Sequence, residues 1–263
     1  MYLCFCINEK LETEPYSIEI RTIEDAFQVR EFLNKKYQDR EFVIVPKKFP
    51  KISNLKLAVF DMDSTLIEEE VIDELAREAG TFSKVSEITA GAMSGKIDFD
   101  DALRRRIALI EGVPFEALEN LRYRLKLKAG VCDFLSFLKS HGVKTAIISG
   151  GFTQITEPFA KGMGFDFSFA NTLEVQNGKL TGKLEKNIVN VNSLRKKEIM
   201  MDLARDLKIS LEEVIAIGDG ANDIPMLEAS GLGVVIHGKE KVKMQILTSI
   251  YKTHMGILVN LLS

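Results

Sequence analysis

Short apolar runs alternate with amphipathic segments along the chain from residue 55 onward. Continuous apolar runs of about four to eight residues are typical of strands buried on both faces, and apolar residues three or four positions apart are typical of helices. Their regular alternation predicts an α/β fold with a doubly wound parallel (Rossmann-like) sheet. The predicted strands of this sheet are 55–60, 144–148, 214–217 and 232–236.

Residues 70–128 interrupt the alternation, because they contain no strand pattern. An insertion directly after the first strand of a parallel sheet lies over the carboxyl edge of that sheet. We therefore expect an inserted helical-bundle cap at 70–128 and a core domain made of 55–69 and 129–263. Asn177-Gly178, between two apolar stretches, predicts a hairpin beside the sheet. The predicted helices of the cap are 70–79, 83–93, 99–111 and 114–121.

Residues 1–54 have the pattern of a small α+β N-terminal segment. Thr22 can cap a helix that follows two predicted strands, and residues 47–51 have the composition of a linker. About 50 residues bury too little surface to be stable alone, so we expect this segment to pack on the main body or on a second subunit, as a homodimer. The predicted strands of the segment are 2–7, 16–20 and 42–45.

The composition is that of a globular protein, with 46% hydrophobic and 28% charged residues among 263. A net charge of −3, without a basic stretch that includes aromatic residues, argues against a nucleic-acid partner. Three cysteines are an odd number for a disulfide framework, and we expect them to be reduced. No apolar segment reaches the ~20 residues of a membrane span, and the first residues lack the basic leader of a signal peptide. We therefore expect a cytoplasmic protein with no membrane contact.

Candidate chemistry lies at the ends of the predicted strands. Asp61 and Asp63 follow the first strand directly, Ser149-Gly150-Gly151 follows the second, and 218–223, Gly-Asp-Gly-Ala-Asn-Asp, follows the third. Lys196 lies near the start of a predicted helix at 193–207. In a doubly wound sheet these loops converge on one crevice, so we expect the side chains to meet there.

The residue types in this crevice favour phosphoryl transfer to an aspartate. Four carboxylates cannot lie together in a partly buried site without a neutralising cation, and Mg²⁺ prefers carboxylate and substrate oxygens. The Ser149 hydroxyl, the glycine N–H groups and the Lys196 ammonium can together hold an anion. An aspartate pair at a strand end is alternatively a simple turn, and Lys196 is alternatively part of a solvated basic cluster. The four carboxylates are those of Asp61, Asp63, Asp219 and Asp223.

Two residues of the predicted cap are candidates for binding the rest of a substrate. Arg106 falls within the apolar stripe of its helix, where a guanidinium is costly unless an anion pairs with it. That anion is either a substrate carboxylate or a structural partner on another cap helix. Glu70, in contrast, lies opposite the apolar stripe of its helix, which by itself indicates a solvated acid.

Four stretches, in this order, make the chain similar to a known superfamily: 61–74, 99–106, 149–152 and 218–223. The sequence resembles the haloacid dehalogenase superfamily of aspartate-nucleophile phosphatases and, within it, most closely the phosphoserine phosphatases. The resemblance covers about 55–240 and leaves the N-terminal segment unexplained. It implies an Mg²⁺-dependent enzyme that converts O-phospho-L-serine to L-serine and phosphate in serine biosynthesis.

The resemblance also implies roles for single residues. Asp61 would be the nucleophile, and Asp63 would first protonate the leaving group and then activate water. Alternatives are a phosphatase or phosphotransferase of the same superfamily acting on another small phosphomonoester, and an inactive amino-acid-binding sensor. The remaining implied roles are Mg²⁺ binding by the Asp61 carboxylate, the Asp63 backbone carbonyl and Asp219, support of the metal site by Asp223, phosphoryl binding by Ser149, Gly150, Lys196 and Asn222, and binding of the serine amino and carboxylate groups by Glu70 and Arg106.

Overall fold

All four predicted buried strands are present, in one sheet, in the computed structural model. The structure describes residues 1–8, 10–93, 96–185 and 191–263, and for residues 93 and 99 it describes the backbone alone. Strands β4, β5, β9 and β10 correspond to these predictions. The strands, in chain order, are β1 (Tyr2–Ile7), β2 (Thr13–Tyr16), β3 (Glu41–Pro46), β4 (Leu57–Phe60), β5 (Lys144–Phe152), β6 (Phe167–Asn171), β7 (Leu173–Gln176), β8 (Lys179–Leu184), β9 (Val214–Gly218), β10 (Leu232–Ile236) and β11 (Ser249–Ile250).

Helices occupy most of the segments that connect the strands, and a single 3₁₀ turn at Leu211–Glu213 precedes β9. The α-helices, in chain order, are α1 (Ile23–Lys36), α2 (Val71–Glu78), α3 (Phe82–Met93), α4 (Phe99–Ala108), α5 (Phe115–Leu121), α6 (Val131–Ser140), α7 (Thr153–Met163), α8 (Ser193–Asp206), α9 (Ile224–Ala229), α10 (Glu240–Lys243) and α11 (Ile257–Leu262).

The central sheet has six parallel strands in the order β11-β10-β9-β4-β5-β6. All residues of β4 and β9 are buried, as strands covered on both faces should be. The predicted doubly wound α/β fold is therefore confirmed. Strand β5 runs through Ser149, Gly150 and Gly151 with an irregular register against β6, so these residues lie in a bulged strand end and not in the loop that the sequence indicated.

The cap contains α2, α3, α4 and α5, close to the predicted helices. The chain leaves and re-enters the core at one place, where Ile67 and Leu127 form an antiparallel bridge. The hairpin β7–β8 has a positive φ at both Asn177 and Gly178, as a type I′ turn requires. It also joins the cap, because the Phe115 N–H donates to the Gly178 carbonyl at 2.9 Å.

Residues 1–54 form a unit, here called the N-terminal unit, with a three-stranded antiparallel sheet in the order β2-β1-β3. One face of this sheet packs on α1, and the other contributes Ile7, Val43 and Val45 to the main core. The unit thus docks on the body of its own chain, one of the two expected arrangements. Among the helices that the structure describes, none has the length and hydropathy of a membrane span.

One strand prediction is wrong, and two strands of the structure were not predicted. A strand predicted at 16–20 is wrong: a tight turn after β1 brings Ile7 opposite Thr13, so the paired residues are those of β2. Strands β6 and β11 were not predicted. In β6, Ser168 and Asn171 interrupt the apolar residues, and β11 pairs through only two residues, so neither has a recognisable apolar run.

Candidate active site

The loop after β4 brings Asp61 to the carboxyl edge of the sheet. The Met62 carbonyl accepts hydrogen bonds from the N–H groups of Thr65, Leu66 and Ile67, at 2.8 to 3.2 Å, which closes the chain into a tight loop. Asp61 lies just before this turn and is 5% exposed. Its carboxylate is therefore fixed at the end of a central strand, where the sequence predicted the site.

Lys196 is the buried cation of the site. It lies in the first turn of α8, is fully buried, and donates to Asp61 Oδ1 at 2.7 Å and to Asp223 Oδ1 at 2.6 Å. Burial lowers the pKa of Lys196, but the charges of Asp223 and Asp61 outweigh that effect and raise it, so the ammonium stays charged. The alternative of a solvated basic cluster is wrong for this lysine.

The loop after β9 is held by Asp223. Its Oδ2 accepts from the N–H groups of Asp219 and Gly220, at 3.2 and 2.9 Å, and its Oδ1 accepts from Lys196. Asp219 in turn accepts the hydroxyl of Thr65 at 3.0 Å, which ties this loop to the Asp61 loop. The side chain of Asp223 thereby holds Asp219 in position.

The carboxylates of Asp61, Asp219 and Asp223 fit a divalent cation. One oxygen from each lies within 4.8 Å of the others, and all three residues are buried. Burial, followed by the charge of Asp223, raises the pKa of Asp61 to about 7 and that of Asp219 to about 8. Lys196 carries a single positive charge, so excess negative charge remains, and hard oxygen donors are the ligands that Mg²⁺ prefers.

Asp63 connects this core site to the first cap helix. Its Oδ2 accepts from the Val71 N–H at the start of α2, at 3.2 Å, whereas its Oδ1 is buried and has no hydrogen-bond partner among the described residues. Burial, with the charges of Glu70 and Asp61, raises the pKa of Asp63 well above its usual range. A carboxyl group with these properties favours the protonated form and can donate a proton.

The bulged end of β5 contributes Ser149, Gly150 and Gly151 to the site. The Ser149 hydroxyl accepts from the Gly151 N–H at 2.9 Å, and Asn171 donates to the Gly150 carbonyl at 2.9 Å. A Cβ on Gly151 would lie 3.1 Å from the Ser149 oxygen and 3.5 Å from Asp63 Oδ2, so a larger residue would intrude between them. Asn171 also accepts from the Val191 N–H at 2.7 Å, just before α8.

The cap supplies Glu70 and Arg106 to the same cavity. Glu70 is the residue before α2, and it accepts the hydroxyl of Ser64 at 2.9 Å. Arg106 lies on α4 and is partly buried, which lowers its pKa, while the charges of Glu70 and Asp73 oppose this shift. Its Nε donates to the Ala102 carbonyl at 3.4 Å, and no described carboxylate lies within 4.0 Å of it. Among the described residues Arg106 therefore makes no direct ion pair, and its assignment to substrate binding stays a prediction.

These groups line one cavity of about 500 Å³, which is the size of a small-molecule site. The structure brings together nearly all the predicted site residues here; Lys196 and Asp223 lie directly behind the wall. The predicted residues that line the cavity are Asp61, Asp63, Glu70, Arg106, Ser149, Gly150, Asp219 and Asn222.

Sequence reasoning missed several residues of the site. Asp73 lines the cavity one helical turn after Glu70, and the i, i+3 spacing of these two acids was an available signal. Thr65 and Asn171 bond to groups that lie near them only in the folded chain, so spacing gave no signal for them. Lys196 was predicted as a site residue, and its burial could also have been predicted, because it shares a helix face with Ile199 and Met200.

Comparisons with known proteins agree with this architecture. The family model of the haloacid dehalogenase-like hydrolases matches residues 55–231. A phosphoserine phosphatase of Archaeoglobus fulgidus is 42% identical over 220 residues, which are 83% of this chain but only 63% of that protein. A phosphoserine phosphatase of Lactococcus lactis is 45% identical over 187 residues, which are 71% of this chain and 86% of that one.

Two solved structures extend the comparison to three dimensions. A haloacid dehalogenase family hydrolase of Salmonella enterica serovar Typhi has a TM-score of 0.88 and 32% identity, covering 100% of this chain and 99% of that chain. This likeness therefore includes the N-terminal unit. A phosphoserine phosphatase solved with bound substrate has a TM-score of 0.74 and 36% identity, covering 80% of this chain and 99% of that chain.

Proposed function

This chain belongs to the haloacid dehalogenase-like hydrolases, and we propose that it hydrolyses O-phospho-L-serine to L-serine and phosphate. The observation that carries the proposal is that one cavity is lined both by Asp61 and Asp63 from the core and by Glu70 and Arg106 from the cap. The first pair can transfer a phosphoryl group, and the second offers opposite charges to the ammonium and carboxylate groups of an amino acid. The names of the relatives in both kinds of comparison support the same substrate.

The proposed reaction has two steps, and the protons balance over both. An Asp61 oxygen first attacks phosphorus, the bond between phosphorus and the serine oxygen breaks, and Asp63 donates its proton to that oxygen. Asp63, now a carboxylate, next takes a proton from water, whose oxygen attacks phosphorus. The bond between phosphorus and Asp61 breaks, phosphate leaves, and Asp63 is again protonated. The raised pKa and the unpaired Oδ1 of Asp63 support this role.

For Mg²⁺, we propose the carboxylates of Asp61 and Asp219 and the backbone carbonyl of Asp63 as ligands. When bound, Mg²⁺ supplies positive charge that offsets these carboxylates and the phosphoryl oxygens. Asp223 lies close enough to be a ligand, but its two oxygens already accept from Lys196 and from two backbone N–H groups. We therefore assign it to holding Asp219 and Lys196 in place.

Ser149, Gly150, Lys196 and Asn222 would hold the phosphoryl oxygens through a hydroxyl, a backbone N–H, an ammonium and an amide. Glu70 would bind the substrate ammonium group. Arg106 would bind the substrate carboxylate, which fits a partly buried guanidinium that has no protein carboxylate within 4.0 Å among the described residues.

The test is steady-state hydrolysis of phosphoserine against a panel of small phosphomonoesters, with and without Mg²⁺. We expect a preference for phosphoserine of about 10²-fold or more over esters without an amino acid group, because buried charged pairs are worth several kcal/mol. A preference for a sugar phosphate or a nucleotide would overturn the serine assignment. Product analysis with added alcohols would detect transfer to another acceptor.

Asp61→Asn separates an enzyme from an inactive amino-acid-binding sensor. We expect turnover to fall by about 10⁴-fold or more, since loss of a nucleophile removes the covalent route. Rapid-quench labelling with ³²P-phosphoserine should label the original protein and not the variant. Glu68→Gln, at an exposed acid of the same loop, is the matched control and should keep full activity. Unchanged function in Asp61→Asn would favour the sensor.

We further propose that the protein works in the cytoplasm, which its free cysteines support: Cys4, Cys6 and Cys132 are all unpaired. A homodimer through the N-terminal unit stays a prediction. Light scattering of the purified protein tests it directly.

A further inference from the structure

We propose that the N-terminal unit supports one wall of the active site, and that Arg30 is the positioning residue through which it does so. The inference rests on the proposed function only for its kinetic readout. It gives a role to the part of the chain that the family motifs leave unexplained.

Arg30 reaches from α1 across the interface and is 1% exposed. Its guanidinium donates to three carbonyls of the body, those of Lys243 at 2.5 Å, Ile246 at 2.9 Å and Leu247 at 2.5 Å, and to the Ser249 hydroxyl at 3.2 Å. No carboxylate of the described residues lies within 4.0 Å of it. The guanidinium also lies 5.0 Å from the Phe27 ring and 5.5 Å from the Tyr251 ring. Since most of its donors go to backbone carbonyls, it serves to fix the course of the chain that carries them.

The segment that Arg30 holds is a single helical turn, α10, with the residues that follow it. One turn is marginal by itself, because helix nucleation costs more than one turn of hydrogen bonds returns. The last carbonyls of a helix also have no partner within it. Arg30 supplies partners for the Lys243, Ile246 and Leu247 carbonyls, so the conformation of this segment depends on a residue more than two hundred positions away.

The other end of the same turn lines the catalytic cavity. Lys239, Lys241 and Val242 are all part of its wall. The Lys239 N–H donates to the Asp219 carbonyl at 3.3 Å, and the charge of Lys239 partly opposes the rise in the pKa of Asp219. A Cβ on Gly238 would lie 3.0 Å from the Asp219 carbonyl oxygen, so the segment also packs closely on this loop. A displacement at the Arg30 end therefore moves groups that face the substrate.

Lys239 and Lys241 place positive charge at a cavity that is lined by several acidic residues. Glu70 and Asp73 line it in addition to the carboxylates that Mg²⁺ would offset, and their charges repel a phosphate dianion that approaches from solvent. Lys239 and Lys241 are exposed on the same wall, so they present positive charge to the incoming phosphate group. Arg30 thus acts on substrate capture through the placement of these ammonium groups.

Glu41 offers a matched control in the same interface. It is fully buried, and its carboxylate accepts from the N–H groups of Tyr251, Lys252 and Thr253, with the last at 2.9 Å. These residues follow the held segment and do not line the cavity; the Tyr251 ring lies 5.5 Å from the Arg30 guanidinium and 4.6 Å from Lys243 Nζ, so the control shares one neighbour with Arg30. Glu41→Gln should weaken the docking of the N-terminal unit and leave the placement of Lys239 and Lys241 unchanged.

The test compares Arg30→Met with Glu41→Gln in the full chain. For Arg30→Met we expect KM for phosphoserine to rise about fivefold with kcat within about twofold, and kcat/KM to lose most of its dependence on ionic strength. Lys239→Gln/Lys241→Gln should show the same pattern, and adding Arg30→Met to it should change KM no further. Glu41→Gln should keep the original KM. An unchanged KM in Arg30→Met, or an equal rise in Glu41→Gln, would overturn the proposal.

A second measurement does not depend on turnover. Hydrogen exchange of the amides of 242–246, which are hydrogen-bonded within the held segment, should be faster in Arg30→Met than in Glu41→Gln. Arg30→Lys keeps the positive charge but lacks the planar set of N–H donors of the guanidinium. It replaces Arg30→Met in both measurements if Arg30→Met does not fold. If the original protein hydrolyses no phosphomonoester, the proposed function fails, whereas equal exchange in both variants contradicts the role of Arg30.

Discussion

The cavity residues that the core supplies, here called the core end, and those that the cap supplies, here called the cap end, are held in opposite ways. At the core end, Lys196 bonds to two carboxylates, Asp223 accepts three hydrogen bonds, and Asp219 accepts the Thr65 hydroxyl. At the cap end, Arg106 has one long hydrogen bond to a backbone carbonyl and no described carboxylate within 4.0 Å. The core end is organised before any ligand arrives, as electrostatic catalysis requires. The cap end leaves hydrogen-bonding capacity for a ligand to use, which is how a site selects its substrate.

The largest test of this contrast is removal of the organised cation with Lys196→Met. Two buried carboxylates then lose their partner, and we expect a loss of about 3–5 kcal/mol in the free energy of unfolding, with turnover below detection. Urea unfolding measures the first effect. Lys197→Met, one position along the same helix and partly exposed, should cost under about 0.5 kcal/mol. A small loss in Lys196→Met would show that the core end is not preorganised by this ion pair.

Arg106→Met tests the cap end. We expect kcat/KM for phosphoserine to fall by about 10²- to 10³-fold, because a partly buried charge pair with the substrate is lost, while a neutral aryl phosphate should lose little. Stability should hardly change, since the guanidinium has no structural carboxylate partner. Arg105→Met is the matched control, because Arg105 pairs with Asp101 at 2.7 Å on the exposed face of the same helix. Equal losses for both substrates would contradict a role in selection.

The effects of pH and Mg²⁺ on stability test the carboxylates of the core end. The folded-state pKa values of Asp61 and Asp219, about 7 and about 8, exceed the ~3.9 of an unfolded aspartate. The folded state therefore binds more protons, and metal-free protein should lose stability as the pH rises through this window. We expect its Tm to fall by about 3 °C or more between about pH 6 and about pH 9. Saturating Mg²⁺ should remove most of this fall, and a fall that Mg²⁺ leaves intact would contradict the metal site.

The smallest effect concerns the contact between the two ends. Asn192, which caps α8, donates its side-chain amide to Asp100 on α4 at 3.2 Å. Asp100→Ala should change kcat or KM by no more than about fivefold, since one part-buried hydrogen bond is worth about 1 kcal/mol. Asp101→Ala lies in the same first turn of α4 without this contact and should leave the kinetics unchanged. A loss above tenfold in Asp100→Ala would mean that the cap end is also rigidly held.

The sequence predicted the core end better than the cap end, for a physical reason. Asp61 and Asp219 follow buried strands, and parallel strands bring their carboxyl ends to one edge whatever lies between them in the chain. Glu70 was interpreted from its helix as a solvated acid, yet it precedes α2 and faces Ser64, so a shift of one residue in the helix start changed its environment. Helix limits are the least certain part of a periodicity argument.

Contacts between distant parts of the chain were beyond the sequence. Asn171 ends a strand whose apolar residues are interrupted, and Arg30 satisfies carbonyls that only the folded chain brings near it. The fold class could be predicted from the hydrophobic periodicity alone, and the meeting of the loops that carry Asp61 and Asp219 could be predicted from the strand topology. Supporting residues such as these depend on tertiary packing, which no local pattern records.

The bridge between Ile67 and Leu127 brings the two ends of the cap insertion together at one point of the core. On either side of it, the Glu68 N–H donates to the Lys126 carbonyl and the Lys128 N–H to the Leu66 carbonyl, both at 2.9 Å, so the two crossings form a short ribbon. Because both ends of the insert leave from neighbouring points, its length and sequence can change without moving the strands that carry Asp61 and Asp219. A change confined to this insertion would therefore alter the groups that face a ligand from the cap while the loops that carry Asp61 and Asp219 keep their places.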